Sequence, residues 1–128
     1  MSEPQRRRMV VVEDDPRLRR AFAWALEEEF DVVQVATVEE AVETLISDAG
    51  VEIVLCDLML DGQTGLQLFD ELERMSDPRA HRFVLMTAHE PRRMKLPPVP
   101  VLLKPFTVAT LRQTLAALLA PTAHPPSM

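Results

Sequence analysis

Several polar side chains that could do chemistry directly follow short apolar runs. They are Glu13, Asp14, Asp15, Asp57, Thr87 and Lys104. If the apolar runs are strands of one parallel sheet, their carboxyl ends meet at one edge, and such sheets bind ligands beyond that edge. The sequence therefore predicts that acids, a hydroxyl group and an ammonium group converge there.

These residue types favour phosphoryl chemistry supported by a metal ion. Clustered carboxylates repel one another, which raises their pKa values unless a cation lies among them. Oxygen ligands favour Mg²⁺ or Mn²⁺ over zinc or copper. Lysine supplies a point charge for phosphate, and a threonine hydroxyl can donate a further hydrogen bond. The sequence has no histidine or cysteine at ligand spacing, no glycine-rich P-loop and no Ser-His-Asp arrangement. We predict a site that holds a phosphoryl group on a carboxylate.

Five apolar runs that could position these residues alternate with amphipathic segments. The predicted strands are 8–12, 32–35, 52–56, 83–86 and 101–103. Strands that are apolar throughout and alternate with helices indicate a parallel sheet covered on both faces. Because crossovers between parallel strands are right-handed, the predicted fold is α/β with a doubly wound five-stranded parallel sheet.

The helices between these strands have recognisable starts. Asp15 followed by Pro16 predicts the start of the first helix, and Thr37 with Glu40 predicts a capping box at the second. Thr107 is the predicted cap of the last helix. The buried face of the second helix is predicted at Ala41, Leu45 and Ile46.

The bulk composition disfavours several classes of function. The 128 residues suit one domain, and the net charge of −6 disfavours direct nucleic-acid binding by this chain. No apolar stretch is long enough to span a bilayer, and no signal peptide precedes Met9, so we expect a cytoplasmic protein without membrane contact. The single cysteine, Cys56, is predicted to be a buried thiol without a redox role. Segments 1–7 and 121–128 are predicted to be flexible tails on a domain at 8–120.

Four motifs in this order resemble the receiver domain of two-component response regulators. They are Val11–Pro16 (VVEDDP), Val54–Leu60 (VLCDLML), Met86–Ala88 (MTA) and Leu103–Phe106 (LKPF). The resemblance runs from about Met9 to Leu119 and implies the flavodoxin-like version of the doubly wound sheet. It also implies a domain that takes a phosphoryl group from a histidine kinase or a histidine phosphotransfer protein. The domain then changes its interactions with a downstream protein that the sequence does not identify.

The resemblance implies a role for each matching residue around the acceptor. Asp57 attacks the phosphoryl group as nucleophile, and Asp14 and Asp57 ligate Mg²⁺, with Mn²⁺ as an alternative. Glu13 helps through a metal-bound water, and the backbone carbonyl of Met59 completes the protein ligands. The Lys104–Pro105 peptide bond is expected to be cis, in a tight turn that aims the lysine.

Four further matches surround the phosphoryl group itself. Thr87 hydrogen-bonds a phosphoryl oxygen, and Lys104 pairs with the Asp57 carboxylate or its phosphate. Ala88 is small and leaves room for the phosphate, and His89 flanks it. Such a domain promotes its own phosphorylation and dephosphorylation, and it is not an enzyme that acts on a separate substrate.

Three features depart from the family pattern. Asp61 stands where the family usually has proline, and Val101 stands where it commonly has an aromatic switch residue. The segment 88–103 is short for the family. Its prolines are Pro91, Pro97, Pro98 and Pro100. Because proline interrupts regular helix, the fourth helix of the family is predicted to be shortened or absent.

Two other functions stay open beside the phosphorylated receiver. The domain could be an interaction module whose output phosphorylation does not control, and the altered segment 89–101 supports that alternative. A phosphatase of the aspartyl-phosphate type is a weaker alternative, because such sites have a second acid two residues after the nucleophile, where this chain has Met59. The sequence does not decide between a single-domain regulator and a piece of a longer protein.

Overall fold

The computed structural model describes residues 6–88 and 95–120. Its strands are β1 (Arg7–Val12), β2 (Phe30–Val35), β3 (Val51–Asp57), β4 (Met59–Leu60), β5 (Gln63–Thr64), β6 (Phe83–Thr87) and β7 (Val101–Leu103). Its helices are α1 (Pro16–Leu26), α2 (Val38–Ser47), α3 (Gly65–Arg74) and α4 (Val108–Leu119), and a 3₁₀ helix spans Pro78–Arg82. Most of both predicted tails lies outside the described residues, as does His89.

Five of the strands form one parallel sheet in the order β2-β1-β3-β6-β7. The chain runs from β1 outward to β2 and then returns across β1 to β3. The strand order therefore reverses between β1 and β3. The predicted doubly wound sheet is confirmed, and the reversal opens a crevice for a ligand beyond the carboxyl ends of these two strands.

Alternate side chains of the strands form an apolar core on each face of the sheet. Val10 and Val12 of β1 pack in the core beneath α2 and α3, whereas Met9 and Val11 pack in the core beneath α1 and α4. All four are fully buried, and burying such a side chain stabilises the fold by about 1.5–3 kcal/mol. The prediction that helices cover both faces is confirmed.

The predicted helix caps are present. Asp15, Thr37 and Thr107 each accept a hydrogen bond from a backbone N–H two or three residues further along the chain, at 2.9, 3.1 and 3.0 Å. Pro16 occupies the first turn of α1. These caps satisfy backbone donors that have no partner within the helix, and so they determine where the helices begin.

Two local predictions are wrong. β1 begins at Arg7, which the sequence assigned to the tail, and Arg7 pairs with Phe30 of β2. Ile46 was expected to be buried and is 67% exposed. Ala41 and Leu45 face the sheet and are buried, while Ile46 lies about 100° further round the helix, beyond the edge of the packed face.

The chain between β3 and α3 forms a small hairpin that the sequence did not predict. β4 and β5 pair antiparallel, with Met59 opposite Thr64 and Leu60 opposite Gln63. Gly62 makes the turn with a φ of 71°, in the left-handed region that favours glycine. Strands of two residues are too short to show the alternation by which strands are recognised in sequences.

Helical structure is absent from the described part of the connection between β6 and β7. This part comprises residues 88 and 95–100, in agreement with the predicted loss or shortening of the family's fourth helix. Val101, at the position of the usual aromatic, is half-buried at the start of β7. Across residues 6–88 and 95–120, every helix is too short or too polar to cross a membrane.

Candidate functional site

Three carboxylates meet where β1 and β3 end. Glu13, Asp14 and Asp57 each place an oxygen within 4.8 Å of the others. Glu13 and Asp57 are buried, with 1% and 6% of their surface exposed, while Asp14 is accessible to solvent. The strand reversal causes this meeting, because it makes β1 and β3 neighbours whose carboxyl ends lie side by side.

Lys104, directly after β7, hydrogen-bonds two of these carboxylates. Its Nζ donates to Glu13 Oε1 at 2.7 Å and to Asp57 Oδ2 at 2.6 Å. Its backbone N–H donates to the Thr87 carbonyl at 2.7 Å, which holds the start of the turn against β6. The Lys104–Pro105 peptide bond is cis, as predicted.

The charges of this cluster do not balance. Burial raises the pKa of Glu13 to about 7, and the neighbouring Asp57 carboxylate adds to this effect, although the hydrogen bond from Lys104 opposes it. Burial lowers the pKa of Lys104, but its hydrogen bonds to Asp57 and Glu13 outweigh burial and raise that pKa overall. Among the described residues, Lys104 is the one cation that pairs with these carboxylates, and it contacts two of the three. A divalent cation would relieve the remaining repulsion.

The hairpin begins at Met59, two residues after Asp57. The Met59 N–H donates to Asp57 Oδ1 at 3.0 Å, and the Leu58 N–H donates to the Met86 carbonyl at 2.7 Å. The two carboxylate oxygens of Asp57 thus have different partners, the Met59 amide on one and Lys104 on the other. The side chain of Met59 is 54% exposed and leaves the site.

Gly65 is a residue of this site that the sequence reasoning missed. It is the first residue of α3, and a Cβ placed on it would lie 2.5 Å from the Asp57 carbonyl oxygen. Its N–H donates to the Leu58 carbonyl at 2.8 Å. Only glycine allows α3 to start this close to the end of β3. The one signal in the sequence is a glycine directly before the helically spaced apolar residues Leu66, Phe69 and Leu72.

The residues predicted to lie near the phosphate are found at the end of β6, the strand next to β3. Thr87 is buried at the end of β6, and Ala88 follows it at the surface. Ala88 and Lys104 line a cavity of about 400 Å³ together with apolar residues of α1 and of the turn after β7. Phe22 and Phe106 stack there, with ring centroids 5.6 Å apart. The sequence reasoning did not predict this aromatic pair.

Burial also explains why the single cysteine, Cys56, is a poor nucleophile. Cys56 is fully buried next to Asp57. Burial raises the pKa of its thiol, and the nearby carboxylates raise it further. A thiol that keeps its proton is a poor nucleophile, in agreement with the prediction that Cys56 is an apolar core residue.

The family model of the response regulator receiver domain matches residues 9–116. The chain belongs to this family. Receiver domains are phospho-acceptors of two-component signalling and interact with histidine kinases or phosphotransfer proteins, so this chain is a phospho-accepting receiver domain. The alternative of an interaction module outside phosphorylation control is not favoured. The acidic cluster at the strand ends supports binding of a divalent metal ion by this receiver domain.

Curated relatives of the receiver domain are longer proteins. This chain is 28% identical over 110 residues to the sensory transduction protein LytR of Staphylococcus haemolyticus. The matched region covers 81% of this chain and 42% of LytR. The chain is 34% identical over 83 residues to the phosphate regulon transcriptional regulatory protein PhoB of Escherichia coli. That matched region covers 64% of this chain and 36% of PhoB. The chain thus spans less than half the length of these relatives.

Solved structures share the fold of this receiver domain over most of its length. The chemotaxis response regulator CheY4 of Vibrio cholerae superposes with a TM-score of 0.80 at 19% identity, covering 90% of this chain and 100% of CheY4. A receiver protein from Sinorhizobium medicae gives 0.75 at 25% identity, covering 89% and 94%. The response regulator TrrA of Thermotoga maritima, solved in complex with Mg²⁺ and BeF, gives 0.76 at 24% identity, covering 88% and 99%.

Proposed function

We propose that Asp57 is the residue of this receiver domain that accepts the phosphoryl group, from a histidine kinase or a histidine phosphotransfer protein. The observation that carries the proposal is the double contact of Lys104 with Asp57 and Glu13, beside Asp14, at the crevice between β1 and β3. This arrangement supports the proposal, because a carboxylate, an ammonium group and further oxygen atoms suited to a metal ion lie close together.

In the proposed reaction a carboxylate oxygen of Asp57 attacks phosphorus. The new O–P bond forms while the P–N bond of the donor phosphohistidine breaks, and the donor imidazole keeps the electron pair. Lys104 neutralises charge on the transferred group, and the Met59 N–H holds the second carboxylate oxygen in place. Water hydrolyses the acyl phosphate later in the same site, so the domain also promotes its own dephosphorylation.

Mg²⁺ is the proposed cofactor, and Mn²⁺ is the alternative. The three carboxylates fit a hard cation because all of their donors are oxygens and lie within 4.8 Å of one another. Asp14 and Asp57 are the proposed direct ligands, with the Met59 backbone carbonyl, and Glu13 acts through water. The bound ion would neutralise the phosphoryl oxygens. The similarity to TrrA, which was solved in complex with Mg²⁺ and BeF, supports this assignment.

Three further residues complete the proposed site. Thr87 donates its hydroxyl to a phosphoryl oxygen, because it ends β6 directly beside the carboxyl end of β3. Ala88 leaves space for the phosphate, and His89, which lies outside the described residues, flanks it. These roles follow from the family motif together with the position of each residue at the end of its strand.

The wider setting of the domain is also part of the proposal. We propose a cytoplasmic receiver domain that extends from β1, which begins at Arg7, to residue 120. Its output passes to a downstream protein, and this chain does not itself bind nucleic acid. The net charge of −6 supports the last point, because nucleic-acid binding relies on basic surface.

Phosphorylation with a small-molecule donor tests the assignment of Asp57. The full chain is incubated with acetyl phosphate and Mg²⁺, and intact-mass spectrometry follows one acid-labile phosphate. Asp57→Asn is expected to abolish labelling, whereas the matched variant Asp61→Asn, in the adjacent hairpin turn, keeps it. An unlabelled wild type would overturn the proposed function, and a labelled Asp57→Asn would show that another residue is the acceptor.

A further inference from the structure

The two helices on one face of the sheet enclose a groove that the phospho-acceptor site does not use. This α2–α3 groove is a cavity of about 650 Å³. Its apolar lining comes from Val38 and Val42 of α2. Its acidic lining is Glu39, Glu43, Asp70 and Glu71. The groove lies on the flank of the domain, with Gln63 of the hairpin at its end nearest Asp57.

An apolar stripe runs along α2 from the groove into solvent. Val38 is 7% exposed, Val42 is half-buried and Ile46 is 67% exposed. These residues are spaced four apart, so they lie on one slowly turning row of the helix surface. A single exposed isoleucine needs no explanation, but one that continues the apolar floor of a groove extends a surface for another apolar side chain.

The charge of the groove selects the chemistry of its occupant. Among the described residues that line it, four are acidic and none is basic. Arg74, outside this lining, pairs with Glu71, and Gln63 hydrogen-bonds Glu39, so Glu43 and Asp70 are the acids for which the structure shows no such partner. Apolar anchors four residues apart between acidic walls match an amphipathic helix whose polar positions are lysine and arginine.

A short series of contacts links this groove to the acceptor. The Met59 N–H holds Asp57 Oδ1 at 3.0 Å, and Met59 begins the β4–β5 hairpin. Gln63, on the return strand, accepts from the Val38 N–H at 3.2 Å and donates to Glu39 Oε1 at 2.5 Å. One hairpin therefore connects the Asp57 carboxylate to the start of α2.

We propose that the α2–α3 groove binds a lysine- and arginine-rich amphipathic helix of a partner protein, and that phosphorylation of Asp57 changes the affinity of the groove through the hairpin. The second part rests on the proposed function of Asp57. The first part does not, because the groove and its charge are present without a phosphoryl group.

A synthetic helical peptide of leucine and lysine tests the groove, with a leucine–glutamate peptide as the negative control. Binding to the full chain is measured by titration calorimetry. Glu43→Lys and, independently, Asp70→Lys are expected to weaken binding about fivefold, and Ile46→Ser about threefold. The matched variant Glu28→Lys changes net charge equally on the opposite face of the sheet and is expected to leave binding within about twofold.

Two outcomes would overturn the first part of the proposal. If Glu28→Lys weakens binding as much as Glu43→Lys, the peptide responds only to the net charge of the domain. If the chain alone self-associates in sedimentation equilibrium and Glu43→Lys abolishes this, the occupant is a second copy and not a partner helix. Circular dichroism of each variant excludes unfolding as the cause.

The coupling is tested by repeating the titration with Mg²⁺ and beryllofluoride as the phosphoryl mimic. The affinity of wild type is expected to change about threefold or more. Gln63→Leu is expected to lose this change, measured as the ratio of its own affinities with and without beryllofluoride, while the matched variant Gln113→Leu on α4 keeps it. An unchanged wild-type affinity, or a Gln63→Leu variant that still responds, would overturn the coupling. Failure of acetyl phosphate labelling would instead overturn the role of Asp57.

Discussion

The sheet carries a group of partly buried charged side chains at each end, and the two groups differ in their balance of positive and negative charge. At the carboxyl end, Lys104 faces Glu13 and Asp57, with Asp14 beside them. At the amino end, Arg79 pairs with Asp77 at 2.7 Å, and 14% of each side chain is exposed. Arg79 also donates to backbone carbonyls around the end of α2. These are the carbonyls of Leu45, Asp48 and Val51.

The difference separates structural charge from functional charge. The guanidinium of Arg79 matches one carboxylate and several carbonyls that would otherwise lack donors, so that cluster is complete within the chain. In the carboxyl-end cluster, Lys104 is the one cation that the described residues pair with these carboxylates, which leaves negative charge that a divalent metal ion can neutralise. The first arrangement stabilises the fold, and the second costs stability and retains affinity for a ligand.

The largest effect is expected from a substitution that breaks the cluster of Arg79 and Asp77. Arg79→Met keeps the aliphatic stem but removes the charge, which strands Asp77 and leaves carbonyls unpaired. We expect the free energy of unfolding in urea to fall by about 3 kcal/mol. The control Arg74→Met removes an exposed pair with Glu71 and should change stability little. Equal losses in the two variants would contradict a special role for the Arg79 cluster.

A smaller effect is expected from crowding the carboxyl-end site. Gly65→Ala brings a Cβ to 2.5 Å from the Asp57 carbonyl, which forces α3 away from β3 at a cost of about 2 kcal/mol. Acetyl phosphate labelling should slow as well. Gly50→Ala is the control, because its Cβ would meet side-chain atoms and no backbone, with Asp48 Oδ1 at 3.1 Å and Arg8 Nη1 at 3.5 Å, and side chains can shift more easily than backbone. An unaffected Gly65→Ala would show that the close approach constrains nothing.

Mg²⁺ is expected to stabilise the cluster at the carboxyl end of the sheet and not the cluster at the amino end. Mg²⁺ at ten times its dissociation constant is expected to raise the free energy of unfolding by about 1.4 kcal/mol. Asp14→Asn should remove most of this gain, while Asp61→Asn should keep it. Thermal melts with and without Mg²⁺ measure the difference. A gain that survives Asp14→Asn would place the ion elsewhere.

A further expected effect is an opposite pH dependence of the two clusters without metal. The pKa of Glu13 rises from 4.5 to about 7 on folding, so its contribution is complete below pH 4.5 and is lost as pH rises toward 7. The pKa of Asp77 is lowered from 3.8, chiefly by its hydrogen bonds from Arg79. Its contribution is therefore present above pH 3.8 and is lost as pH falls through the lowered value.

Urea unfolding in Mg²⁺-free buffer at a series of pH values measures how the free energy of unfolding depends on pH. Glu13→Gln should remove the pH dependence between pH 4.5 and 7, and Asp77→Asn should remove the dependence below pH 3.8. The same change in both variants would mean that neither residue causes the pH dependence assigned to it.

Local features of the chain were predictable because their causes are local. The apolar runs that form the five strands of the sheet, the caps at Asp15, Thr37 and Thr107, and the polar residues at strand ends all follow from side chains a few residues apart. The exposure of Ile46 was not predictable, because it depends on where α3 and the sheet stop covering α2. The hairpin and the role of Gly65 escaped because two-residue strands and a single close approach leave no periodic signal.

By itself the sequence determined the five strands of the sheet, the starts of three helices and the chemistry that follows the strands, since hydrophobic period, capping and residue type act over a few positions. Only the tertiary structure decided that Lys104 reaches Glu13 and Asp57 together, although 91 and 47 positions separate it from them. It also decided that acidic and apolar side chains of α2 and α3 face one groove. Distances of this kind depend on strand order and helix packing, which sum many weak contacts over the whole chain.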